Sequence, residues 1–180
     1  MSQRHRHSLD LVINAQLGRA HVAFLRKHLR RAHLLLAPAL EDLSLALVSD
    51  ARMAELHQRF MSIAGPTDVL TFELEHDRGG NVTSGEVVVC VPEARRQARA
   101  RGIELRMELL LYALHGMLHL CGFDDRTDRG FRTMHRREDD ILTALGFGPV
   151  YAAPLASSSP AKRRRQRPSK PAARSEDGAA

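Results

Sequence analysis

The sequence predicts an α+β fold, a single domain in which a four-stranded mixed sheet packs with about five helices. Short apolar, β-prone runs are interspersed with longer segments whose apolar residues recur at helical spacing. Glycine and proline mark the boundaries between these segments. After residue 150 the chain consists mainly of Ala, Ser, Pro, Lys and Arg, a composition with too little apolar surface to fold. We therefore expect a domain at 1–150 and a disordered basic tail at 151–180.

The first half of the domain is expected to alternate strand and helix. The run LDLVINA at 9–15 is apolar and β-prone, and the segment 17–36 carries one apolar stripe at helical spacing. The run LSLALV at 43–48 predicts the second strand. Asp50 is a suitable N-cap for the next helix, which is expected to extend to about Met61.

The second half is expected to contain two strands and three helices. The run EVVVCV at 86–91 is almost continuously apolar, which is typical of a central strand covered on both faces. A polar, glycine-rich loop at 76–84 precedes it. The remaining segments are a short strand at 68–72 and helices at 92–102, 105–121 and 127–145.

Charge and cysteine content restrict the possible environments. The tail at 151–180 holds seven basic and two acidic residues, so it carries five of the six net positive charges and the domain is almost neutral. Two cysteines provide no disulfide framework, and the first residues lack the apolar run of a signal peptide. The apolar segment 105–120 contains four ionisable residues and is shorter than the ~20 residues of a bilayer span. We expect a cytoplasmic protein without a membrane association.

The chemistry-bearing segment is HGMLHLCGFDD at 115–125. His115 and His119 are four residues apart on a predicted helix, so both imidazoles lie on one side and can bind one metal ion. Gly122 can reverse the chain after the helix, which would bring Asp125 back toward the two histidines. Two imidazoles and one carboxylate leave positions open for water, as in catalytic rather than structural zinc sites. A water activated by that metal could attack a phosphorus or carbonyl centre, so we assign no side chain as the general base.

Gly116 follows the first histidine, where metallopeptidases place a glutamate that acts as a general base. Glycine within a helix costs roughly 0.5–1 kcal/mol relative to alanine. Close approach of another backbone or of a substrate would explain its presence. This residue disfavours peptidase chemistry by the usual route.

Three further residues near the histidine helix each have two interpretations. For Cys121, packing is favoured over metal binding, because it lies far around the helix from His119. Glu108 is interpreted as a solvated or capping acid, with a supporting role at the metal site as the less favoured alternative. Glu138 lies on an apolar helix face, where it would either hydrogen bond to a ligand imidazole or sit at the rim of that face.

Three segments and one residue pair of this sequence resemble motifs of the YbeY endoribonuclease family. The segment at 115–125 is similar to its signature His-Gly-x-Leu-His-Leu-x-Gly-Tyr-Asp-His. The run PTDVLTF at 66–72 resembles the family strand Pro-Thr-Asp-Val-Leu-Ser-Phe, and GEVVV at 85–89 resembles Gly-Asp-Ile-Val-Ile. Met134 and Glu138 match a later Met/Glu pair, so the resemblance covers roughly residues 8–148.

The resemblance implies a single-strand-specific endoribonuclease that acts in 16S rRNA 3′-end maturation and ribosome quality control. It implies one divalent ion, most simply Zn²⁺, held by a central helix and the following loop beside an edge strand. His115 and His119 match the first two ligands of the family. Asp124 matches the family Asp, and Thr67 and Asp68 match the strand beside the groove. The implied partner is the rRNA of the small ribosomal subunit, which the basic tail would also contact, and we expect a monomer.

The sequence departs from the family pattern at two functional positions. The third ligand is His in the family and Asp125 here, which would shift the metal preference toward Mn²⁺ or Mg²⁺. The family has an arginine five residues before its Pro-Thr-Asp strand, where this chain has Met61. Methionine cannot bind phosphate as arginine does. The nearby Arg59 would point elsewhere on a helix, and a family asparagine is His57 here.

Three functions are therefore compared. The first is a metal-dependent endoribonuclease. The second is a non-catalytic ribosome-assembly factor that binds rRNA and contains a structural metal, an alternative that Met61 favours. The third is a metallopeptidase, which shares the His-x-x-x-His helix but which Gly116 disfavours.

Overall fold

The computed structural model describes residues 9–36 and 38–150. Within these ranges the chain forms four strands and five α-helices, as the sequence predicts. The strands are β1 (Asp10–Ala15), β2 (Asp42–Val48), β3 (Val69–His76) and β4 (Val82–Cys90). The helices are α1 (Val22–Leu36), α2 (Asp50–Met61), α3 (Val91–Arg101), α4 (Leu105–Leu120) and α5 (Asp128–Ala144). The expected tail at 151–180 lies outside the described residues.

The sheet is mixed and has the strand order β1-β2-β4-β3. β1 pairs with β2, and β2 with β4, in parallel, whereas β3 pairs with β4 antiparallel. The strand predicted to be central, β4, lies between β2 and β3, and Val87, Val88 and Val89 are buried on both of its faces. β3 is therefore an edge strand among the described residues.

Helix α4 is the centre of the core. Its apolar residues face in every direction, and eleven of its sixteen residues are buried. It packs against the sheet and against α1, α3 and α5. Full burial of a leucine side chain contributes about 1.5–3 kcal/mol, so Leu109, Leu110 and Leu114, all 0% exposed, strongly stabilise its position.

Two glycines allow α4 to approach the sheet closely. A Cβ at Gly116 would lie 2.6 Å from Val87 Cγ1, and a Cβ at Gly85 would lie 2.6 Å from Leu120 Cδ1. Such distances are too short for carbon atoms in contact. The close approach at Gly116 is therefore to side chains of the sheet, and not to another backbone or a substrate as the sequence suggested.

The element boundaries differ from the prediction at three places. Residues Arg19–His21 form a short 3-10 helix, so α1 begins at Val22. The loop expected at 76–84 is shorter, because β3 and β4 extend into a hairpin. Asp77 stabilises the turn of this hairpin by accepting hydrogen bonds from the N–H groups of Gly79 and Asn81. The N-cap of α2 is Ser49, whose hydroxyl accepts from the Arg52 N–H; the expected cap, Asp50, instead binds Arg96.

None of the helices in the described part of the chain combines the length and the apolar content that a membrane span requires. Cys90 and Cys121 are both free thiols.

Candidate metal centre

Helix α4 places the two histidines side by side at its C-terminal end. The Nε2 atoms of His115 and His119 are 3.1 Å apart, and their rings meet edge to face with centroids 4.7 Å apart. Both rings are partly buried. The spacing of four residues therefore brings two ring nitrogens close enough to bind one ion.

The chain then turns back and brings a carboxylate to the histidines. Gly122 has a φ of 86°, and the Phe123 N–H donates to the Leu118 carbonyl at 3.1 Å. After this turn Asp125 Oδ2 lies 3.6 Å from His115 Nε2, and Asp125 Oδ1 lies 3.8 Å from His119 Nε2. The fold-back predicted from Gly122 is the one that the structure shows.

Helix α5 supports this loop from the other side. A Cβ at Gly130 would lie 2.2 Å from the backbone carbonyl oxygen of Asp124. The Gly130 N–H donates to the hydroxyl of Thr127, which is the N-cap of α5. Glycine at this position thus allows the loop that carries Asp125 to pack directly on the first turn of α5.

Hydrogen bonds to the other ring nitrogens orient both imidazoles. Nδ1 of His115 lies 2.8 Å from Oε1 of Glu138, a buried carboxylate, and Nδ1 of His119 lies 3.0 Å from the Phe123 carbonyl. A carboxylate and a carbonyl can only accept, so each Nδ1 donates and each Nε2 keeps its lone pair for an ion. Of the two interpretations of Glu138, the structure supports the partner of a ligand imidazole.

Glu138 also affects the protonation of His115. Burial alone would lower the pKa of His115, but the hydrogen bond and the negative charge of Glu138, together with Asp125, raise it above its usual value. The other carboxylate oxygen, Oε2, accepts from Nδ1 of His135. Glu138 therefore connects two imidazoles on α4 and α5 by hydrogen bonds to both of its carboxylate oxygens.

The three side chains form a group that could hold a metal ion. One ligand atom from each of His115, His119 and Asp125 lies within 4.8 Å of the other two. Two imidazole nitrogens and one carboxylate oxygen suit a borderline ion such as Zn²⁺ and leave coordination positions open. The donor set and the Nδ1 hydrogen bonds both fit a catalytic type of metal centre.

A cleft of about 700 Å³ opens beside this group. Thr67 and Asp68, which directly precede β3, line it together with His115 and Asp125, and their role beside an RNA groove stays a prediction. The Thr67 hydroxyl donates to Asp68 Oδ1, which also accepts from the Val69 N–H. These local hydrogen bonds hold the side chains of Thr67 and Asp68 without any contact to an ion.

Asp124 does not point into the site. Its carboxylate is about half exposed and accepts from Arg126, which lowers its pKa. Cys121 packs at the edge of the core, and burial raises the pKa of its thiol to about 12. The packing interpretation of Cys121 is thus favoured, and Asp124 stays a prediction without a contact to the cluster.

The interpretation of Glu108 as a solvated or capping acid is wrong. Its side chain is 0% exposed, and Oε1 has no hydrogen-bond partner. Burial raises its pKa, although Arg101, 3.4 Å away, and Tyr112 oppose this effect. A helix wheel cannot show this burial, because α3 and Arg101 cover the residue only in the folded domain.

The side chains of Met61 and Arg59 both lie on the surface of α2. Met61 is 47% exposed, and the Arg59 guanidinium lies 5.3 Å from the ring centroid of Phe60. Neither residue lines the cleft. The nearby His57 Nδ1 lies 2.9 Å from the Gly65 carbonyl, so it supports the loop before β3.

The sequence alone did not indicate five residues that the folded chain brings to the cleft: Glu93, Gln97, Arg101, Phe131 and His135. His135 precedes Glu138 by three residues on α5, and this spacing was the available signal. Gln97 and Arg101 lie on α3, which reaches the cleft only because α3 packs on α4.

The fold and this group of residues define an α+β protein with a candidate metal centre between a central helix and a sheet edge. The sequence model of the endoribonuclease YbeY matches residues 12–146. The chain belongs to the YbeY endoribonuclease family, which confirms the resemblance found in the sequence and the predicted class of RNA-cleaving hydrolase.

Individual relatives agree with this assignment. The chain is 40% identical to the endoribonuclease YbeY of Moorella thermoacetica over 59% of its own length and 74% of that protein. It is 35% identical to the one of Bifidobacterium animalis subsp. lactis, over 66% of this chain and 70% of that one. A solution structure of a Thermotoga maritima protein has a TM-score of 0.52 and 26% identity, covering 85% of this chain and 99% of the other.

Proposed function

We propose that this protein is a single-strand-specific, metal-dependent endoribonuclease that acts in 16S rRNA 3′-end maturation and ribosome quality control. The observation that carries the proposal is the convergence of His115, His119 and Asp125 at the wall of an open cleft. Membership of the YbeY family supports RNA as the substrate. The rRNA step and the preference for single strands rest on the resemblance of the sequence motifs.

A divalent ion held by these three residues would supply Lewis-acid chemistry and an activated water for attack on a phosphodiester. The chain itself prepares the site. Glu138 and the Phe123 carbonyl hold the imidazoles with Nε2 toward the ion. Thr67 and Asp68 line the space in which the RNA would lie, and we assign no side chain as a general base.

We propose Zn²⁺ as the natural ion, with Mn²⁺ or Mg²⁺ as alternatives. A carboxylate in place of a third imidazole makes the donor set harder and more anionic, which favours Mn²⁺ and Mg²⁺ relative to a three-histidine site. Elemental analysis of protein purified without a polyhistidine tag, compared with Asp125→Ala, tests this assignment. A metal content that is unchanged in Asp125→Ala would remove Asp125 from the ligand set.

The central experiment is digestion of single-stranded RNA with and without a chelator. We expect cleavage that a chelator abolishes, that returns with added metal and that His115→Ala lacks. His21→Ala is a matched control, because His21 lies in the short helix after β1, away from the cluster. Cleavage of equal rate in His115→Ala would show a contaminating nuclease or another site and would refute the proposal.

The second candidate function is a non-catalytic rRNA-binding assembly factor with a structural metal. Met61, which replaces the family arginine and stands on the surface of α2, favours it. Complementation of a strain lacking the protein distinguishes the two functions. Equal rescue by the wild type and by His119→Ala would support binding without chemistry, whereas loss of rescue supports the enzyme.

Metallopeptidase activity has no support from the packing of α4. The glutamate of that class would follow the first histidine, at Gly116. A Cβ there would already lie 2.6 and 2.8 Å from the two Cγ atoms of Val87. There is no room at this position for the side chain of a general base.

We further propose that the protein is a cytoplasmic monomer that contacts the small ribosomal subunit, and that the basic tail at 151–180 adds RNA affinity. Seven basic residues in the tail would release counterions when they bind phosphates. Removing residues 154–180 should preserve folding and reduce the salt dependence of RNA binding. An unchanged salt slope would show that the tail does not contact the RNA.

A further inference from the structure

The cleft beside the histidines extends past the ligand cluster. Its far part lies between the first turns of α5, which supply Phe131 and His135, and the face of α3, which supplies Glu93, Gln97 and Arg101. From this arrangement we infer a nucleobase-binding subsite in which Phe131 stacks on an unpaired base next to the scissile phosphate. The inference rests on the proposed RNA substrate and names the part of the RNA that the cleft recognises.

Phe131 is suited to stacking because its ring is exposed yet held in place. The side chain is 50% exposed although it lies at the cleft. Its ring meets the ring of His135 edge to face, with centroids 4.0 Å apart, and Glu138 in turn binds His135. An aromatic ring that is already fixed loses little entropy when a base stacks on it.

The opposite wall offers hydrogen-bonding groups to the edge of a base. Glu93, Gln97 and Arg101 are four residues apart and lie on one face of α3. Nε2 of Gln97 donates to Glu93 at 2.8 Å, which leaves the Gln97 carbonyl oxygen as an acceptor. The Arg101 side chain is 40% exposed and one of its nitrogens lies 3.4 Å from Glu108, so its other N–H groups can donate into the cleft.

Charge favours a base over a phosphate in this part of the cleft. Asp68, Glu93 and Asp125 line the cleft, and hydrogen bonds to Gln97 and Arg96 lower the pKa of Glu93. Asp68 and Asp125 lie at the histidine end, so the far part is lined by one carboxylate, Glu93, and one guanidinium, Arg101, and has no excess positive charge that would select a phosphate. A neutral base with donors and acceptors at its edge fits the same surface, and 700 Å³ is within the range of small-ligand sites.

The subsite also provides a physical reason for single-strand preference. A base can reach Phe131 only after it leaves its neighbours, and extraction from a duplex costs the free energy of unpairing and unstacking. An unpaired base avoids most of this cost. Base stacking on an aromatic side chain changes affinity by roughly 5- to 150-fold per base.

The test measures binding of short fluorescent single-stranded RNAs to the full-length, Zn²⁺-loaded protein by anisotropy. The RNAs carry 2′-O-methyl groups and phosphorothioate linkages to resist cleavage, and a single abasic nucleotide is placed at each position in turn. Phe131→Ala is compared with Phe60→Ala, because Phe60 is 53% exposed on α2 and does not line the cleft. Phe131→Trp keeps an aromatic ring and should retain binding.

We expect Phe131→Ala to weaken binding of the intact RNA by roughly 5- to 150-fold. At one position, the abasic RNA should bind equally weakly to the wild type and to Phe131→Ala, which is the coupling expected for two groups in contact. Phe60→Ala should bind like the wild type. The inference is overturned if Phe131→Ala binds RNA as tightly as Phe60→Ala does. It is also overturned if Phe131→Ala weakens the binding of every abasic RNA as much as the binding of the intact RNA.

Chelator-sensitive cleavage of unmodified RNA, measured in parallel, separates this inference from the proposed function. Base-dependent binding through Phe131 without such cleavage would refute the enzyme and keep the subsite. Normal cleavage and binding by Phe131→Ala would refute the subsite and keep the enzyme.

Discussion

Replacement of Gly116 by alanine is expected to destabilise the domain, although alanine is the better helix former. The new Cβ would lie 2.6 Å from Val87 Cγ1, 2.8 Å from Val87 Cγ2 and 3.1 Å from the Thr71 hydroxyl. Val87 is 0% exposed on the central strand β4. Its branched side chain is stiff at χ1, so it cannot turn away and the helix or the strand must shift.

The expected magnitude follows from two opposing effects. Overpacking of a dense core costs typically 1–3 kcal/mol. The gain from replacing glycine by alanine within a helix is roughly 0.5–1 kcal/mol. We therefore expect Gly116→Ala to lower the free energy of unfolding by about 0–2.5 kcal/mol, and to weaken metal binding because His115 is the adjacent residue.

Urea denaturation of the wild type, Gly116→Ala, Val87→Ala and the double variant measures this effect. In Val87→Ala the space beside Gly116 is open, so the alanine should become neutral or stabilising there. The difference between the two backgrounds should be about 1–3 kcal/mol, within the range of residues in contact. If Gly116→Ala stabilised the protein in the Val87 background, close packing would not be the reason for glycine at this position.

Four further predictions concern the charged groups of the site and the core. Glu138→Gln should stay folded and lower metal affinity by roughly 10- to 100-fold, because the His115 Nδ1–H loses a charged acceptor. Metal titration measures this affinity, and the exposed Glu55→Gln is the control. Equal metal affinities in the two variants would contradict the role of Glu138. Asp125→His should shift metal preference from Mn²⁺ toward Zn²⁺ in competition experiments, and an unchanged order of affinities would count against Asp125 as a ligand. Metal affinity should fall as pH decreases, starting above pH 6.5, because the ligand must be neutral and the pKa of His115 is raised; a calorimetric affinity that stays constant from pH 8 to pH 6 would disagree. Glu108→Gln should raise stability at neutral pH by about 1–3 kcal/mol. The reason is that the pKa of Glu108 is raised in the folded wild type, which therefore loses stability as pH rises above about 4.5. In urea unfolding the gain of the variant should disappear near pH 4, and a gain that is independent of pH would show another cause.

The local features of the metal centre could be predicted from the sequence because each depends on a few neighbouring residues. The four-residue spacing of His115 and His119 sets both rings on one side of a helix whatever surrounds it. Gly122 favours the left-handed conformation that ends the helix. These two properties bring Asp125 back to the histidines, so its approach also follows from local geometry.

Partners that come from distant elements could be predicted only in part. The sequence suggested Glu138 as a candidate, since a buried acid requires a partner, but two interpretations stayed open. The packing of α5 on α4 decides between them, because it places the carboxylate 2.8 Å from His115 Nδ1. For Glu108 the same dependence on tertiary contacts produced a wrong prediction, since burial beneath α3 has no signature in the helix periodicity.

The sequence by itself determined the fold class, the sheet with β4 as its centre, and the three residues that converge on the candidate metal centre. Apolar periodicity and glycine positions encode these features through short-range sterics and burial. Only the tertiary structure decided what surrounds the centre: the sheet contact at Gly116, the buried Glu108, and the cleft between α3 and α5 with Phe131 at its wall. These features depend on how elements far apart in the chain pack together, and side-chain shape and volume fix that packing only in three dimensions.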